Sequence, residues 1–345
     1  MIPSNHNTRI QFLRRLWQRG LWKLGFHSVL PDLPSTLMIE PTNVCNLNCP
    51  ACPTGRGTLN RPPRTMKFDE FKGILDQALD PPGYLKRVTL FNYGEPFLCK
   101  DLLKMVRYAA GAGLETFTST NGHFFGSEQA ARDVVESGLT ELIVCLDGAD
   151  QETISRYRKN ADFEEILQGI RRVVEAKSRL RAETPLVELQ FIVMKHNEHQ
   201  IERMREIARD LGVDRFIEKT VGVHAGDPAF QRLAADLLPA DLSRSRYEKC
   251  DDGAYALKGE PPCGCEYIYS TMVVNSNGDV VPCCYDIESE YVMGNVFETP
   301  LAEIWRGEAF REFRKRVAHG RGSVRMCKFC PEGRVEMRSS EEVGP

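Results

Sequence analysis

The sequence lacks three features, and each absence narrows the range of functions. It has no apolar run long enough to cross a bilayer and no N-terminal secretory signal, so we expect a cytoplasmic protein. Its formal net charge is −3, and without an excess of Lys and Arg nucleic acid is not expected as a partner. With 345 residues, 42% hydrophobic and 27% charged, the chain has the composition of a globular protein of one large or two moderate domains.

Cysteine, in contrast, is plentiful: the chain has 12, and in a reducing compartment these indicate metal binding rather than disulfides. Cys45, Cys49 and Cys52 form a C-x3-C-x2-C loop within the stretch E-P-T-N-V-C-N-L-N-C-P-A-C-P-T-G, directly after a short apolar run. Structural zinc takes four ligands, whereas three thiolates can hold one face of an iron–sulfur cluster and leave one iron open. This loop alone leaves a zinc site and a disulfide as alternatives.

The spacing of these three cysteines resembles the signature of the radical S-adenosylmethionine (SAM) enzymes. The resemblance implies a 4Fe-4S cluster whose open iron chelates the amino and carboxylate groups of SAM. It also implies reductive cleavage of SAM to a 5′-deoxyadenosyl radical, with a flavodoxin- or ferredoxin-type protein as electron donor.

Short apolar runs alternate with helical patterns from Thr36 onward. Strands are predicted at 37–39, 87–91, 116–119, 142–146, 187–193 and 214–218, and helices at 68–79, 101–112, 128–137, 163–177 and 198–211. This alternation predicts βαβ units around a parallel sheet. Six units match the radical SAM fold, an α/β partial (β/α)6 TIM-like barrel, in which reactive residues follow the carboxyl ends of the strands.

Polar segments follow the second and third predicted strands. Tyr93, Gly94 and Glu95 resemble the family's G-G-E segment, which receives the SAM amino group, with Tyr93 in place of the first Gly. Ser119 and Asn121 offer hydroxyl and amide groups for a ribose or a carboxylate. Each segment taken singly is also compatible with an ordinary turn.

The segment after the fourth strand supplies an acid, an arginine and a thiol. Asp147 lies in a turn that resembles the family's S-x-D-G, and Arg158 can hold the SAM carboxylate with two N–H donors. Cys145 stands where the family usually has Ser. It is interpreted as a small buried apolar residue. The alternative is a catalytic role, in which its thiol donates a hydrogen atom to a substrate radical.

A second group of cysteines begins after a connector. Cys265 and Cys283 flank a predicted hairpin, and Cys327 and Cys330 form a C-x2-C pair, so four thiols are available for an auxiliary 4Fe-4S cluster or a zinc ion. The stretch resembles the SPASM and shorter twitch extensions of radical SAM enzymes, including their G-N pair and the I-W pair within a helix predicted at 301–317. That resemblance implies one auxiliary 4Fe-4S cluster. Cys263 and Cys284 adjoin two of the ligands and can replace them.

The predicted domains are an N-terminal basic amphipathic helix (1–35), the radical SAM partial barrel (36–220), a connector with one or two short helices (221–262), and a small hairpin-plus-helix iron–sulfur domain (263–345). The N-terminal segment carries basic residues and no acid up to residue 27, and its amphipathic helix is predicted at 9–24. It is interpreted as a helix across the barrel mouth, with peripheral membrane contact as the alternative.

Together these features predict a radical SAM oxidoreductase or epimerase in which the auxiliary cluster transfers electrons. A small-molecule, sugar or glycan substrate is favoured over a peptide because only about 35 residues precede the barrel, too few for the leader-recognition domain of many peptide-modifying relatives. The alternative from a different functional class is a non-catalytic iron–sulfur carrier or electron-transfer protein, although a carrier has no need of SAM-binding residues.

Overall fold

The computed structural model describes residues 31–262 and 264–334, together with the backbone of 338–342. Six parallel strands line the barrel: β1 (Thr36–Ile39), β2 (Arg87–Thr89), β3 (Glu115–Thr120), β4 (Glu141–Cys145), β5 (Leu186–Val193) and β6 (Arg215–Thr220). The helices between them are α1 (Pro53–Arg56), α2 (Phe68–Leu79), α3 (Leu102–Gly111), α4 (Glu128–Val135), α5 (Gln151–Tyr157), α6 (Phe163–Leu180) and α7 (Ile201–Leu211). The predicted partial (β/α)6 barrel is confirmed.

The chain after the barrel adds short elements. They are α8 (Phe230–Leu237), β7 (Tyr247–Lys249), β8 (Tyr255–Leu257), β9 (Thr271–Val274), β10 (Asp279–Val281), β11 (Gly294–Asn295), α9 (Leu301–Arg306), α10 (Glu308–His319), α11 (Arg325–Lys328) and β12 (Arg338–Glu342). The connector contains the short helix α8, in agreement with the one or two short helices predicted there. It also contains the two-stranded β7–β8 ribbon, which the sequence did not predict.

The C-terminal hairpin extends the barrel sheet. The order of the ten-stranded sheet is β11-β10-β9-β1-β2-β3-β4-β5-β6-β12, in which β9 pairs in parallel with β1 and β12 pairs antiparallel to β6. The sequence indicated the hairpin, but not its pairing with β1 or the existence of β12. This pairing holds the second group of cysteines beside the first strand of the barrel.

Hydrophobic packing and helix caps fix the orientation of the βα units. Nearly every residue of β5 is buried, as expected for a parallel strand covered on both faces. The N-termini of α4 and α6 are capped, since Ser127 accepts a hydrogen bond from the Ala130 N–H (3.1 Å) and Asp162 one from Glu165 (2.9 Å). Because β1 to β6 pair in parallel with one another, the carboxyl ends of the six strands lie at one end of the barrel.

Two sequence predictions need comment. The single helix predicted at 301–317 is two helices, α9 and α10, because Gly307 between them has an extended backbone (φ −62°, ψ 164°). The predicted N-terminal helix (9–24) and Cys263 lie outside the described residues. Within the part of the chain that is described, no helix is both long enough and apolar enough to cross a membrane.

Candidate active site

Three cysteines lie on one turn after β1. The Cys52 N–H donates to the Cys49 carbonyl (3.1 Å), and α1 begins at the next residue. The loop is tightly wound, because a Cβ added to Gly55 would lie 2.5 Å from the Cys49 nitrogen. Burial raises the pKa of Cys49 to about 12, so its thiolate form requires a positive group such as iron. Three half-buried thiols on one turn fit the face of an iron–sulfur cluster.

Glu95 joins the ends of two strands beside this loop. Its carboxylate accepts hydrogen bonds from the Thr120 hydroxyl (2.8 Å) and the Asn121 N–H (2.8 Å), and burial raises its pKa to about 7. The Asn121 side chain donates to Asn46 in the cysteine loop (2.8 Å). The structure therefore brings Glu95 and Asn121 together as the sequence suggested. The sequence analysis missed Asn46 and Thr120.

Gly94 has no room for a side chain. Its φ of 92° lies in the left-handed region, and an added Cβ would lie 2.3 Å from the Thr42 carbonyl oxygen. The preceding residue, Tyr93, turns its ring the other way, toward the C-terminal region, and its hydroxyl donates to the Cys284 carbonyl (3.2 Å). This segment thus contacts the cysteine-loop region through Gly94 and the second group of cysteines through Tyr93.

Asp147 and Arg158 form a buried ion pair. Arg158 Nε donates to Asp147 Oδ2 (2.6 Å), and the other carboxylate oxygen accepts from the Ile192 N–H (2.7 Å). Asp147 is fully buried, so it fixes the position of the arginine rather than facing open space. The sequence did not predict this ion pair, and the assignment of Asp147 and Arg158 to the SAM-binding site stays a prediction.

Ser119 and Cys145 face each other from neighbouring strands. Their Oγ and Sγ atoms are 3.4 Å apart, and the Gln190 amide donates to the sulfur (3.3 Å). Burial raises the pKa of the Cys145 thiol, which keeps its hydrogen. The hydrogen-donor role of Cys145 stays a prediction, and its neighbours match the alternative of a packed interior residue.

A large cleft opens at the carboxyl ends of the strands. Its volume is about 1540 Å³, above the roughly 300–1,000 Å³ of typical small-ligand pockets. An ion pair between Arg56 and Asp227 connects the cysteine loop with the connector across this region. The cleft is lined by residues of the barrel, the connector and the C-terminal region, among them Cys52, Gly94, Tyr157, His224 and Arg325.

A second cavity of about 580 Å³ lies under the C-terminal hairpin. Among the residues described, no three His, Cys, Asp or Glu side chains converge closely enough to hold one metal ion. Thiols that surround a cavity fit a cuboidal iron–sulfur cluster, which is usually held by four cysteines. The cavity is lined by five of them: Cys265, Cys283, Cys284, Cys327 and Cys330.

Glu40 is a buried acid that the sequence analysis did not single out. Its carboxylate receives two hydrogen bonds from Arg61 (both 2.7 Å), two from Ser276 (3.0 and 3.1 Å) and one from the Tyr93 N–H (3.3 Å). It therefore joins the barrel to the turn of the C-terminal hairpin. In the sequence, the only signal for this role is that Glu40 directly follows the apolar run of β1, where an acid is expected to be buried. A fully buried carboxylate requires hydrogen-bond partners.

Two cysteine-lined sites on one barrel-based sheet define an iron–sulfur protein with two cluster sites. The family model of the radical SAM superfamily matches residues 39–208, and that of the SPASM iron–sulfur cluster-binding domain matches 263–331. The chain belongs to the radical SAM superfamily and carries a C-terminal SPASM-type domain. It is therefore an enzyme that uses SAM, a SAM-binding 4Fe-4S cluster and auxiliary iron–sulfur chemistry.

Known proteins resemble the chain over most of its length. It is 26% identical to a PqqA peptide cyclase of Xanthomonas campestris pv. campestris (88% of this chain, 81% of the relative). It is 28% identical to an Fe-coproporphyrin III synthase of Methanosarcina barkeri (79% and 74%). Among solved structures, Streptococcus suis SuiB bound to its precursor peptide SuiA superposes with a TM-score of 0.61, at 18% identity (91% and 73%), which shows the shared fold.

Proposed function

We propose that the protein is a radical SAM enzyme that modifies a peptide substrate. The observation that carries the proposal is the open cleft of about 1540 Å³, which is bounded by the barrel, the connector and the C-terminal region. SAM and the cluster would occupy the part beside Cys52 and Gly94, and the part between the connector and the C-terminal region is left for the substrate. An extended peptide segment fits such a cleft because it can be held at several points while one residue reaches the cysteine loop.

The similarity to a PqqA peptide cyclase supports a peptide over the sugar or glycan expected from the sequence. The earlier preference depended on the shortness of the segment before the barrel, which says nothing about the cleft itself. The similarity to an Fe-coproporphyrin III synthase shows that relatives of comparable identity do not all act on peptides, so the substrate class requires a direct test.

The roles of the chain's residues follow from their places. Cys45, Cys49 and Cys52 would hold the SAM-binding cluster, and Glu95 and Asn121 lie beside their loop, to which Asn121 is bonded through Asn46. Arg158 is held through Nε by Asp147, and its remaining N–H groups would bind the carboxylate of SAM. When bound, the cluster and SAM supply a 5′-deoxyadenosyl radical that removes a hydrogen atom from a substrate C–H bond.

The C-terminal cysteines serve electron transfer. Cys265, Cys283, Cys327 and Cys330 surround the second cavity and hold the auxiliary cluster, with Cys284 as a fifth thiol in reach. Four protein ligands leave no open iron for the substrate. This arrangement favours oxidation or cross-linking of the substrate over direct binding at the auxiliary cluster.

The test measures 5′-deoxyadenosine formed from SAM and dithionite by the anaerobically reconstituted enzyme. Fractions of host cell extract are added before and after digestion with a nonspecific protease. We expect a peptide-containing fraction to stimulate deoxyadenosine formation and digestion to abolish the stimulation. Stimulation that survives digestion would instead support a small molecule or glycan.

The control is the Cys45→Ala, Cys49→Ala, Cys52→Ala triple variant. It should form no deoxyadenosine and should lose the iron of one cluster while it keeps the iron of the other. If the wild-type protein binds iron but leaves SAM intact with every fraction, a carrier function replaces the enzymatic one.

A further inference from the structure

The substrate cleft and the auxiliary-cluster cavity share one wall. Of the residues described, Asn92, Tyr93, Tyr285 and Met326 line both cavities. Two of the four are aromatic and approach from different parts of the chain, Tyr93 from the end of β2 and Tyr285 from the segment after Cys283 and Cys284.

Tyr93 occupies a central place in this wall. It lines the cleft together with Cys52 and the second cavity together with Cys283 and Cys284, so it borders both groups of cysteines. Its hydroxyl donates to the Cys284 carbonyl (3.2 Å), and its backbone N–H donates to the buried Glu40 (3.3 Å). The ring is therefore anchored at both ends.

Tyr285 is held from the opposite side. Its hydroxyl hydrogen-bonds to Glu332 (2.9 Å), and Glu332 in turn pairs with Arg246 of the connector (2.7 Å). The C-terminal region thus fixes its half of the wall independently of the barrel.

We propose that Tyr93 is a barrier residue, whose ring, together with Tyr285, closes the auxiliary-cluster cavity against the substrate cleft. Molecules in the cleft then cannot touch the auxiliary cluster. Two consequences rest on the proposed function. An electron from the substrate radical crosses this wall to reach the auxiliary cluster, and the substrate does not become a ligand of its iron. The barrier itself does not depend on which substrate is bound.

The proposal is tested with the full-length protein carrying Cys45→Ala, Cys49→Ala and Cys52→Ala, in which only the auxiliary cluster is assembled. The rate at which EDTA removes its iron is followed anaerobically by loss of the visible cluster absorption. In this background Tyr93→Gly removes the ring, Tyr93→Phe removes only the hydroxyl, and Tyr93→Leu leaves part of the volume.

We expect Tyr93→Gly to accelerate iron loss about tenfold, because it opens the wall without a large rearrangement. Tyr93→Phe should stay within about twofold of the background, since its ring remains, and Tyr93→Leu should fall between. The matched control is Tyr84→Gly, which removes a tyrosine ring whose hydroxyl bonds to Asp32 (3.2 Å) and which lines neither cavity.

Any one of three results would overturn the proposal. The first is loss of iron from Tyr93→Gly and Tyr93→Leu at the background rate. The second is loss of iron from Tyr93→Phe as fast as from Tyr93→Gly, and the third is loss of iron from the control Tyr84→Gly as fast as from Tyr93→Gly. The assay contains neither SAM nor substrate. Failure of the barrier is therefore distinguishable from failure of the proposed peptide-modifying activity.

Discussion

Glu40→Gln tests the buried junction between the barrel and the C-terminal hairpin. The substitution keeps the shape of the side chain and removes its charge. The Glu40 side chain is fully buried and that of Arg61 is 7% exposed, and the two are 2.7 Å apart. The variant therefore leaves the Arg61 guanidinium buried without a counter-charge.

Losing one partner of a buried ion pair costs about 3–5 kcal/mol. We expect Glu40→Gln to lower the free energy of unfolding by about 3 kcal/mol, because glutamine retains part of the hydrogen bonding. The control is Glu115→Gln, whose partner Arg87 is also 2.7 Å away, with side chains that are 55% and 47% exposed. Solvent screening limits that pair to about 1 kcal/mol or less.

The measurement is urea unfolding of the cluster-free protein, followed by circular dichroism. The double variant Glu40→Gln, Arg61→Met removes both charges and should recover about half of the loss. If Glu40→Gln is no more destabilising than Glu115→Gln, or if the double variant is less stable than the single one, the buried charge pair does not hold this junction.

Two further predictions concern the site itself. Burial raises the pKa of Glu95 in the folded protein to about 7, against an ordinary value of 4.5. Between these two pH values the folded chain binds a proton that the unfolded chain has lost. The free energy of unfolding should therefore fall by about 3 kcal/mol as the pH rises from 4.5 to above 7. Glu95→Gln should abolish that decline in urea midpoints of the cluster-free protein, and a variant that keeps the full decline would contradict the assignment. Gly94→Ala should cost about 3 kcal/mol more than Gly113→Ala in the same assay, because both have positive φ but only at Gly94 does an added Cβ meet an atom within 4 Å. Equal costs would show that the segment yields to the side chain.

The barrel was predictable because its signals are local. Strands and helices alternate with the spacing of βαβ units, and the predicted helix at 68–79 has the bounds observed. The three cysteines of the first site were also predictable, since they lie within one loop and are close in sequence. The second site combines the hairpin cysteines with the later C-x2-C pair, and its prediction depended on the resemblance to SPASM and twitch domains.

Some residues of the site were not predicted, because their partners are distant in the chain. Ser119 was chosen in place of Thr120, although the alternation of side chains along a strand points only one of the two at Glu95. Nothing near Glu40 in the sequence indicates Ser276, which is 236 residues away.

The sequence by itself determined the type of fold and the positions of the cysteine motifs, because short-range spacing encodes strands, helices and turns. The resemblance of these motifs to those of a known family indicated the cluster chemistry. Tertiary structure alone decided how the two cluster sites are joined. The pairing of β9 with β1 continues the barrel sheet into the SPASM-type domain, and it brings Tyr93 between the cleft and the auxiliary cavity. Strand pairing over such a distance depends on the packing of the whole sheet, and no local pattern specifies it.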